Sequence, residues 1–408
     1  PVWEFDWWYD TPGTVASDGR VQWAIDTGAD DDRVPAGGTV TLEYSVDVDA
    51  DVGPGVQMEN AAGGLQWFTI DPDATGEGTP VQRGPGPTDS VTVQTPTPGP
   101  LAKASTTTLS TMGDTVVYRL RVPDSSFGAQ LFDVVVTDTL PPNVEFLSVA
   151  HAPTSDVSEA LSASVSGSNV LTITSATDPD GIDIPAGSVA VIDVTVRHND
   201  TGGGVAGDTY VNGADYTWER TENGTDDLDG GPSSSHTITV TEPELVVSKS
   251  GPGTIGRTGG AFTVTAENIG TAAAHDVVVT DVLPAGMRDT QPVIDSVEVV
   301  GPSGTRTLAA GTDYTVSWDG STGTLALAFE STTAAIAGTS GAPSGETLQV
   351  DYTAFLDSDA ADAASLRNVA GVTRYATQDG SGGTFPPDTR VYAQALSDGQ
   401  RNPDARIL

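Results

Sequence analysis

Residues 134–141 read VVVTDTLP, and residues 277–284 read VVVTDVLP. In a β-strand alternate residues face the same side, so Val134, Val136 and Asp138 share a face, as do the matching residues of the second copy. The valines favour strand, and the proline that follows stops it. Two copies of one half-apolar strand predict a repeated β-domain, with an aspartate on the apolar side of each copy.

The flanking sequence extends the repeat in both directions. The chain has two lysines, Lys103 in GPLAKAS and Lys249 in ELVVSKS, and each precedes one copy of the motif. An Asn-containing strand follows each copy, TYVNGADYTW at 209–218 and SLRNVAGVTRY at 365–375. Alternation again puts Asn212 and Asn368 on apolar faces. Each repeat therefore pairs one lysine with one aspartate and one asparagine.

The spacing of the repeats sets the expected domains. The asparagines at 60, 212 and 368 give a period of about 150 residues. We predict complete repeats at 98–243 and 244–395, and an exit linker at 396–408. Residues 1–97 resemble only the back half of a repeat, with Asn60 as a possible cross-link acceptor. We expect the missing half upstream of residue 1, or from a neighbouring subunit.

Composition narrows the classes of fold and function. The 47 glycines and 27 prolines, with no sustained helical period, predict an all-β fold of tandem immunoglobulin-like β-sandwiches in an extended array. The net charge of −39 argues against nucleic-acid partners. No apolar run reaches the length of a membrane span, and the chain has no cysteine for disulfides.

Burying a lysine, an aspartate and an asparagine together has a specific chemical meaning. Desolvation lowers the pKa of an amine and raises that of a carboxyl, which favours a neutral, nucleophilic lysine beside a protonated aspartic acid. The acid can then polarise the Asn carbonyl and assist the loss of ammonia. Two alternatives remain open: a buried ion pair hydrogen-bonded to asparagine, and lysines that extend along a sandwich edge to solvent.

The segment from the lysine strand through TDTLP to the Asn strand resembles the DUF11 repeat of prokaryotic surface proteins. The trio is similar to that of collagen-adhesin-type and pilin domains that form Lys–Asn isopeptide bonds. The resemblance implies immunoglobulin-like sandwiches in arrays. It also implies the following cross-links with assisting acids: Lys103 to Asn212 with Asp138, and Lys249 to Asn368 with Asp281.

Weaker signals concern ligands and modification. Acidic loops suit Ca²⁺, and Asp178, Asp180 and Asp183 are the best candidates, although solvated turns are the default. Asn199 and Asn223 fit the glycosylation sequon. The aromatic residues of PVWEFDWWYD at 1–10 predict core or interface. The four histidines show no metal spacing, and no enzyme motif is present.

The sequence therefore predicts a non-enzymatic extracellular, cell-surface protein. We expect a stalk, fibre or surface-layer element that is rigidified by isopeptide bonds and contacts neighbouring copies and other cell-surface components. Two other classes stay open. One is an adhesin for a glycan or protein partner, and the other is a repeat array rigidified by calcium.

Overall fold

The computed structural model describes residues 14–15, 21–23, 34, 36–49, 52–64, 66–70, 78–201, 203–225, 227–340, 344–361, 365–380, 384–393, 395–396 and 406–407. The aromatic segment at 1–10 lies outside them. The chain divides into two compact units, Pro1–Thr97 and Pro98–Leu408.

In the described residues of the first unit, three pairs of antiparallel strands form, β1 with β2, β3 with β6 and β4 with β5. The bounds are β1 Thr14–Val15, β2 Val21–Gln22, β3 Gln57–Gly63, β4 Trp67–Phe68, β5 Gln82–Arg83 and β6 Thr88–Gln94. Large apolar side chains stay exposed here, including Val91, Val93 and Trp67. The described part of this unit therefore lacks the closed core that the second unit has.

The second unit begins with a β-sandwich of two sheets. Its strands are β7 Ala102–Ala104, β8 Leu109–Ser110, β9 Thr115–Val122, β10 Leu131–Thr139, β11 Val144–His151, β12 Leu161–Val165, β13 Val170–Ser175, β14 Ile182–Ile184, β15 Ala190–His198, β16 Thr209–Glu219, β17 Leu228–Asp229 and β18 Ser234–Val240. One sheet has the order β12-β13-β10-β16-β18-β8, with β14 beside β10 and β17 beside β16. The facing sheet has the order β11-β15-β9-β7.

A second sandwich follows in the same unit. Its strands are β19 Leu245–Ser250, β20 Gly260–Asn268, β21 His275–Val282, β22 Val293–Gly301, β23 Gly304–Thr307, β24 Thr315–Asp319, β25 Thr324–Phe329, β26 Thr347–Ala354, β27 Val369–Ala376, β28 Val391–Tyr392, β29 Ala395–Leu396 and β30 Arg406–Ile407. One sheet has the order β19-β20-β26-β22-β23, and the other β24-β25-β21-β27-β28-β30, with β29 beside β27. The prediction of an all-β fold is confirmed.

Alternation explains how each sandwich forms. In β9 the residues Val116, Tyr118, Leu120 and Val122 are buried and those between them are exposed. Inward-facing rows of this kind from two sheets interdigitate to form one core. The predicted faces are confirmed for VVVTD, since Val134 and Val136 are fully buried beside Asp138. The domain boundaries drawn from the repeats, and their arrangement in an extended array, stay predictions.

Helical structure is minimal in the part of the chain described. A single 3₁₀ turn spans Thr332–Ala334. Among the described residues there is no helix with the length and apolarity needed to cross a bilayer.

Candidate functional site

Each sandwich places its lysine on one sheet and its aspartate and asparagine on the other. In the first sandwich Lys103 lies on β7, while Asp138 lies on β10 and Asn212 on the adjacent strand β16. Asp138 is in register with Ala214, two residues from Asn212, so both side chains enter the core from the same sheet. The three side chains therefore meet across the gap between the two sheets.

The first site is sealed from solvent. The Nζ atom of Lys103 lies 2.6 Å from Oδ2 of Asp138, and both side chains are 0% exposed. The amine also lies over the ring of Tyr118, 4.7 Å from its centroid. Because this amine does not reach the surface, an edge lysine that extends to solvent is excluded here.

Burial changes the acid–base behaviour of this pair. Desolvation lowers the pKa of Lys103 to about 8, against the partial opposing effect of Asp138. Desolvation also raises the pKa of Asp138, while Lys103 and Asn212 oppose that rise. Both shifts favour transfer of the shared proton from amine to carboxylate. The product is a neutral amine beside a carboxylic acid.

Asn212 is fully buried beside this pair. Its carboxamide lies close enough to Asp138 and Tyr118 to lower the pKa of each. Neither its nitrogen nor its oxygen, however, forms a hydrogen bond of normal geometry with any described residue. A buried amide without partners costs free energy. The first site therefore holds an unsatisfied carboxamide next to a nucleophile and an acid.

The second site has the same trio with a fourth member, Tyr352. Lys249 forms an ion pair with Asp281, and its Nζ donates to the Tyr352 hydroxyl over 2.8 Å. That hydroxyl donates to Oδ2 of Asp281 over 2.5 Å and accepts from Nδ2 of Asn368 over 2.8 Å. One hydroxyl thus contacts the amine, the acid and the amide. The Oδ1 atom of Asn368 is buried without a partner among the described residues.

The electrostatics of the second site repeat those of the first. Desolvation lowers the pKa of Lys249 to about 8 and raises that of Asp281. Desolvation and the charge of Asp281 also raise the pKa of Tyr352, so this hydroxyl keeps its proton. The lysine is slightly less enclosed than its counterpart, with 8% of its side chain exposed.

The sequence predictions did not include either tyrosine. Tyr118 comes from β9, and Tyr352 from β26, so the two reach equivalent sites from different strands. Asn60, the proposed acceptor of the first unit, lies exposed on β3. Its Nδ2 donates to the hydroxyl of Tyr44 over 2.7 Å. The only lysines in the chain are Lys103 and Lys249, so the first unit supplies no amine of its own.

The three aspartates suggested for calcium do not form one compact group of side-chain oxygens. Asp178 accepts a hydrogen bond from the Asp180 backbone N–H, and Asp183 accepts one from that of Asp133. Within the described ranges, the acidic side chains whose oxygens lie within 4.8 Å of one another are instead Asp289, Asp357 and Asp359. Asp357 already accepts bonds from two backbone N–H groups, those of residues 288 and 289. That carboxylate therefore serves to hold its own loop.

The glycosylation candidates differ in exposure. Asn223 is exposed in a turn with φ of 54°, and its backbone N–H donates to Asp133. Asn199 is half-buried, and its side-chain oxygen accepts from the Thr201 N–H. Asn223 therefore has the more accessible side chain, and modification of either stays a prediction.

Comparison with known proteins gives structural likeness only. No protein-family model matches the chain, and no curated protein matches it by sequence. A structure named BspA_C_mut is 12% identical with a TM-score of 0.35, covering 73% of this chain and 98% of that one. The C-terminal domain of the Streptococcus pyogenes antigen I/II-family protein AspA is also 12% identical, with a TM-score of 0.35 and coverage of 72% and 98%.

A third similar structure is a C-terminal fragment of the major pilin GBS80 of Streptococcus agalactiae. It is 14% identical with a TM-score of 0.27, covering 75% of this chain and 93% of that one. Similarities of this size carry no information about what the present chain binds or assembles with.

Proposed function

We propose that this chain is part of an extracellular structural protein, a stalk, fibre or surface-layer element of the DUF11-like kind, whose sandwiches are closed by self-formed Lys–Asn isopeptide bonds. The observation that carries the proposal is the first site. There a fully buried amine, a carboxyl 2.6 Å away and a carboxamide with no hydrogen bond of normal geometry meet between two sheets. A stable ion pair gives no reason for the amide to be buried without hydrogen bonds.

The proposed reaction balances within the site. The shared proton moves from the Lys103 amine to Asp138, which frees the nitrogen lone pair. Nζ attacks the carbonyl carbon of Asn212 while the acid donates a hydrogen bond to the developing oxyanion. The new C–N bond forms, the bond from that carbon to Nδ2 breaks, and Nδ2 leaves as ammonia with the proton that the amine loses. Asp138 holds the first proton as a carboxylic acid and returns to the carboxylate when the departing ammonia takes that proton away as ammonium. No oxidant or cofactor is required.

The second site would use the same steps, with Tyr352 as an additional relay. Its hydroxyl contacts Asp281, Lys249 and Asn368 at once. Since it keeps its proton, it can pass a proton between amine, acid and leaving nitrogen without ionising. Lys249 would become bonded to Asn368.

The position of the bonds supports a mechanical role. Each lysine lies near the start of its sandwich and each asparagine near its end, on the facing sheet. Force that enters at the lysine strand would pass through the covalent bond to the Asn strand. The roughly 110 residues between them would carry none of it. With no cysteine in the chain, this bond would take the place of a disulfide.

Single-molecule force spectroscopy of the full chain tests this function. We expect the residues between each lysine and its asparagine not to extend, because the bond closes that loop; only the residues outside the loops can lengthen. The Lys103→Arg, Lys249→Arg double variant keeps the charge but cannot form the amide. It should show two unfolding events that release, in addition, the loops between Lys103 and Asn212 and between Lys249 and Asn368, about 360 Å and about 390 Å. If the unaltered chain also releases both lengths at similar force, the load-bearing role is wrong.

A further inference from the structure

A buried aspartate precedes the VVVTD strand in both sandwiches. Asp133 and Asp276 each have φ of 49°, in the left-handed region that few residues other than glycine adopt. The pairing register shifts beside each of them, which marks a β-bulge. Strict alternation would turn Asp133 outward, but the bulge turns it inward, and both aspartates are 6% exposed.

The two aspartates make the same local contact. Oδ2 of Asp133 accepts from the backbone N–H of Asn223 over 2.6 Å, and Oδ2 of Asp276 accepts from that of Gly380 over 2.6 Å. Each carboxylate thus holds the loop that follows the Asn strand. Each buried carboxylate also needs its negative charge balanced. The two sandwiches differ in the charged side chains that surround it.

The surroundings of Asp276 include positive charge. Burial raises the pKa of both aspartates. At Asp276 the charge of Asp379 raises it further, while the Gly380 N–H and the charge of Arg374 oppose the rise. At Asp133 the side-chain charges that act most strongly are those of Asp183 and Asp178, and both raise the pKa further. Burial and the charges of Asp178, Glu159 and Glu222 raise the pKa of Asp183 in turn. Both aspartates therefore have acidic neighbours, but among the groups that act on their pKa an arginine is present only at Asp276.

Asp133 also has an oxygen available for a ligand. Its Oδ1 is buried and makes no hydrogen bond of normal geometry among the described residues, although the Gly224 N–H lies close enough to the carboxylate to lower its pKa. The side chain lines a small polar pocket. Asp180, Glu219 and Asp227 line the same pocket. Gly181 and Gly224 let the loops close around it. A Cβ on Gly181 would lie 2.2 Å from the Asp133 backbone, and one on Gly224 would lie 2.6 Å from Glu219 Oε2.

We propose that this pocket, lined by Asp133, Asp180, Glu219 and Asp227, binds one divalent cation, with Ca²⁺ as the preferred ion. The donors are all oxygens, which suits a hard cation, and Ca²⁺ accepts six to eight ligands in flexible geometry. The carboxylates surround the pocket rather than meet at one point, so water completes the coordination. The ion supplies the positive charge that Arg374 supplies in the second sandwich. Of the three loop aspartates predicted from sequence, only Asp180 belongs to this set.

Isothermal titration calorimetry of the full chain with CaCl₂, at a salt concentration that screens weak surface binding, tests the site. We expect one saturable site. Asp180→Asn, an exposed change that should leave the fold intact, should weaken it by about tenfold or more, because Ca²⁺ affinity follows the number of ligand charges. Asp133→Asn should do the same, with circular dichroism to check folding.

Two matched variants serve as controls. Asp276→Asn removes the equivalent aspartate of the second sandwich, and Asp359→Asn removes a member of the other acidic group. Both should bind Ca²⁺ as the unaltered chain does. The proposal is overturned if the chain shows no saturable binding, if Asp180→Asn binds normally, or if Asp359→Asn abolishes binding. Lys103→Arg should also retain the site, so failure of the cross-link proposal leaves this result readable.

Discussion

The side chain of Asn368 donates a hydrogen bond to the hydroxyl of Tyr352, sixteen residues earlier, over 2.8 Å. The first unit repeats this relationship, since Asn60 donates to Tyr44 across the same separation over 2.7 Å. In the middle repeat the residue sixteen before Asn212 is Val196, and Tyr118 approaches from the neighbouring strand β9 instead. A tyrosine therefore accompanies each of the three asparagines. In the second unit β9 supplies it to Asn212 and β26 to Asn368.

Removing the hydroxyl should affect the two complete sites unequally. Tyr352→Phe deletes the group that contacts Lys249, Asp281 and Asn368, so the second cross-link should form at least about tenfold more slowly. Tyr118→Phe deletes a hydroxyl that forms no hydrogen bond of normal geometry among the described residues, although Asn212 lies close enough to lower its pKa. It should slow the first cross-link far less. Time-resolved mass spectrometry after refolding measures both rates, and equal effects would remove the relay role of Tyr352.

The assisting acids should be essential to bond formation. Asp138→Asn keeps the size of the side chain but cannot accept the amine proton or act as an acid. It should leave Lys103 and Asn212 unlinked while the second sandwich still reacts. Asp281→Asn should give the reverse result. A peptide map of each variant reads out both sites at once, and a cross-link that forms without its acid contradicts the mechanism.

Loss of the bond should lower the stability of one sandwich at a time. Closing a loop of roughly 110 residues lowers the entropy of the unfolded chain. In the loop-closure estimate made for disulfides, this raises the free energy of unfolding by about 4–5 kcal/mol. Asn212→Ala should therefore lower the unfolding temperature of the first sandwich and leave the second nearly unchanged. Differential scanning calorimetry measures both transitions. An unchanged thermogram is the outcome that this account does not allow.

The pH dependence of stability should reveal the free amine. In the Asn212→Ala variant Lys103 cannot react, and its pKa is about 8 when folded against 10.5 when unfolded. Between these values the unfolded chain holds a proton that the folded chain has lost, so stability rises with pH. In the cross-linked chain the nitrogen is an amide and this slope is absent.

Denaturant unfolding of both proteins from pH 8 to 10 measures that difference. The range ends there because Tyr118 has a folded pKa of about 12 against 10, which gives the opposite slope at higher pH. Parallel stability curves for the two proteins would mean that Lys103 is in the same chemical state in both.

The internal repeat predicted the members of the trio, and local alternation predicted their faces. It placed Lys103, Asp138 and Asn212 on inward faces, because each lies two residues from a buried apolar side chain. It could not identify Tyr118 or Tyr352, since which strands face each other across a sandwich depends on sheet order and non-local pairing. The sixteen-residue Tyr–Asn spacing in the first and third repeats is the signal that could have found one of them.

The acidic pocket shows a second limit. Counting acidic residues along one loop selected Asp178, Asp180 and Asp183, but the pocket draws on β10, β16 and two loops. Asp133 was not selected because strict alternation assigns it to the outer face, and only the bulge brings it inside. A bulge is a departure from the pattern, so a periodic reading of the sequence does not predict it.

We propose above all that two covalent Lys–Asn bonds have formed inside the folded chain. The most direct measurement is the intact mass of the denatured full-length chain, followed by peptide mapping. The account predicts a mass two ammonia molecules below that of the sequence. It also predicts linked peptides that join Lys103 to Asn212 and Lys249 to Asn368. A mass equal to that of the sequence, with both lysines recovered as free amines, would contradict it.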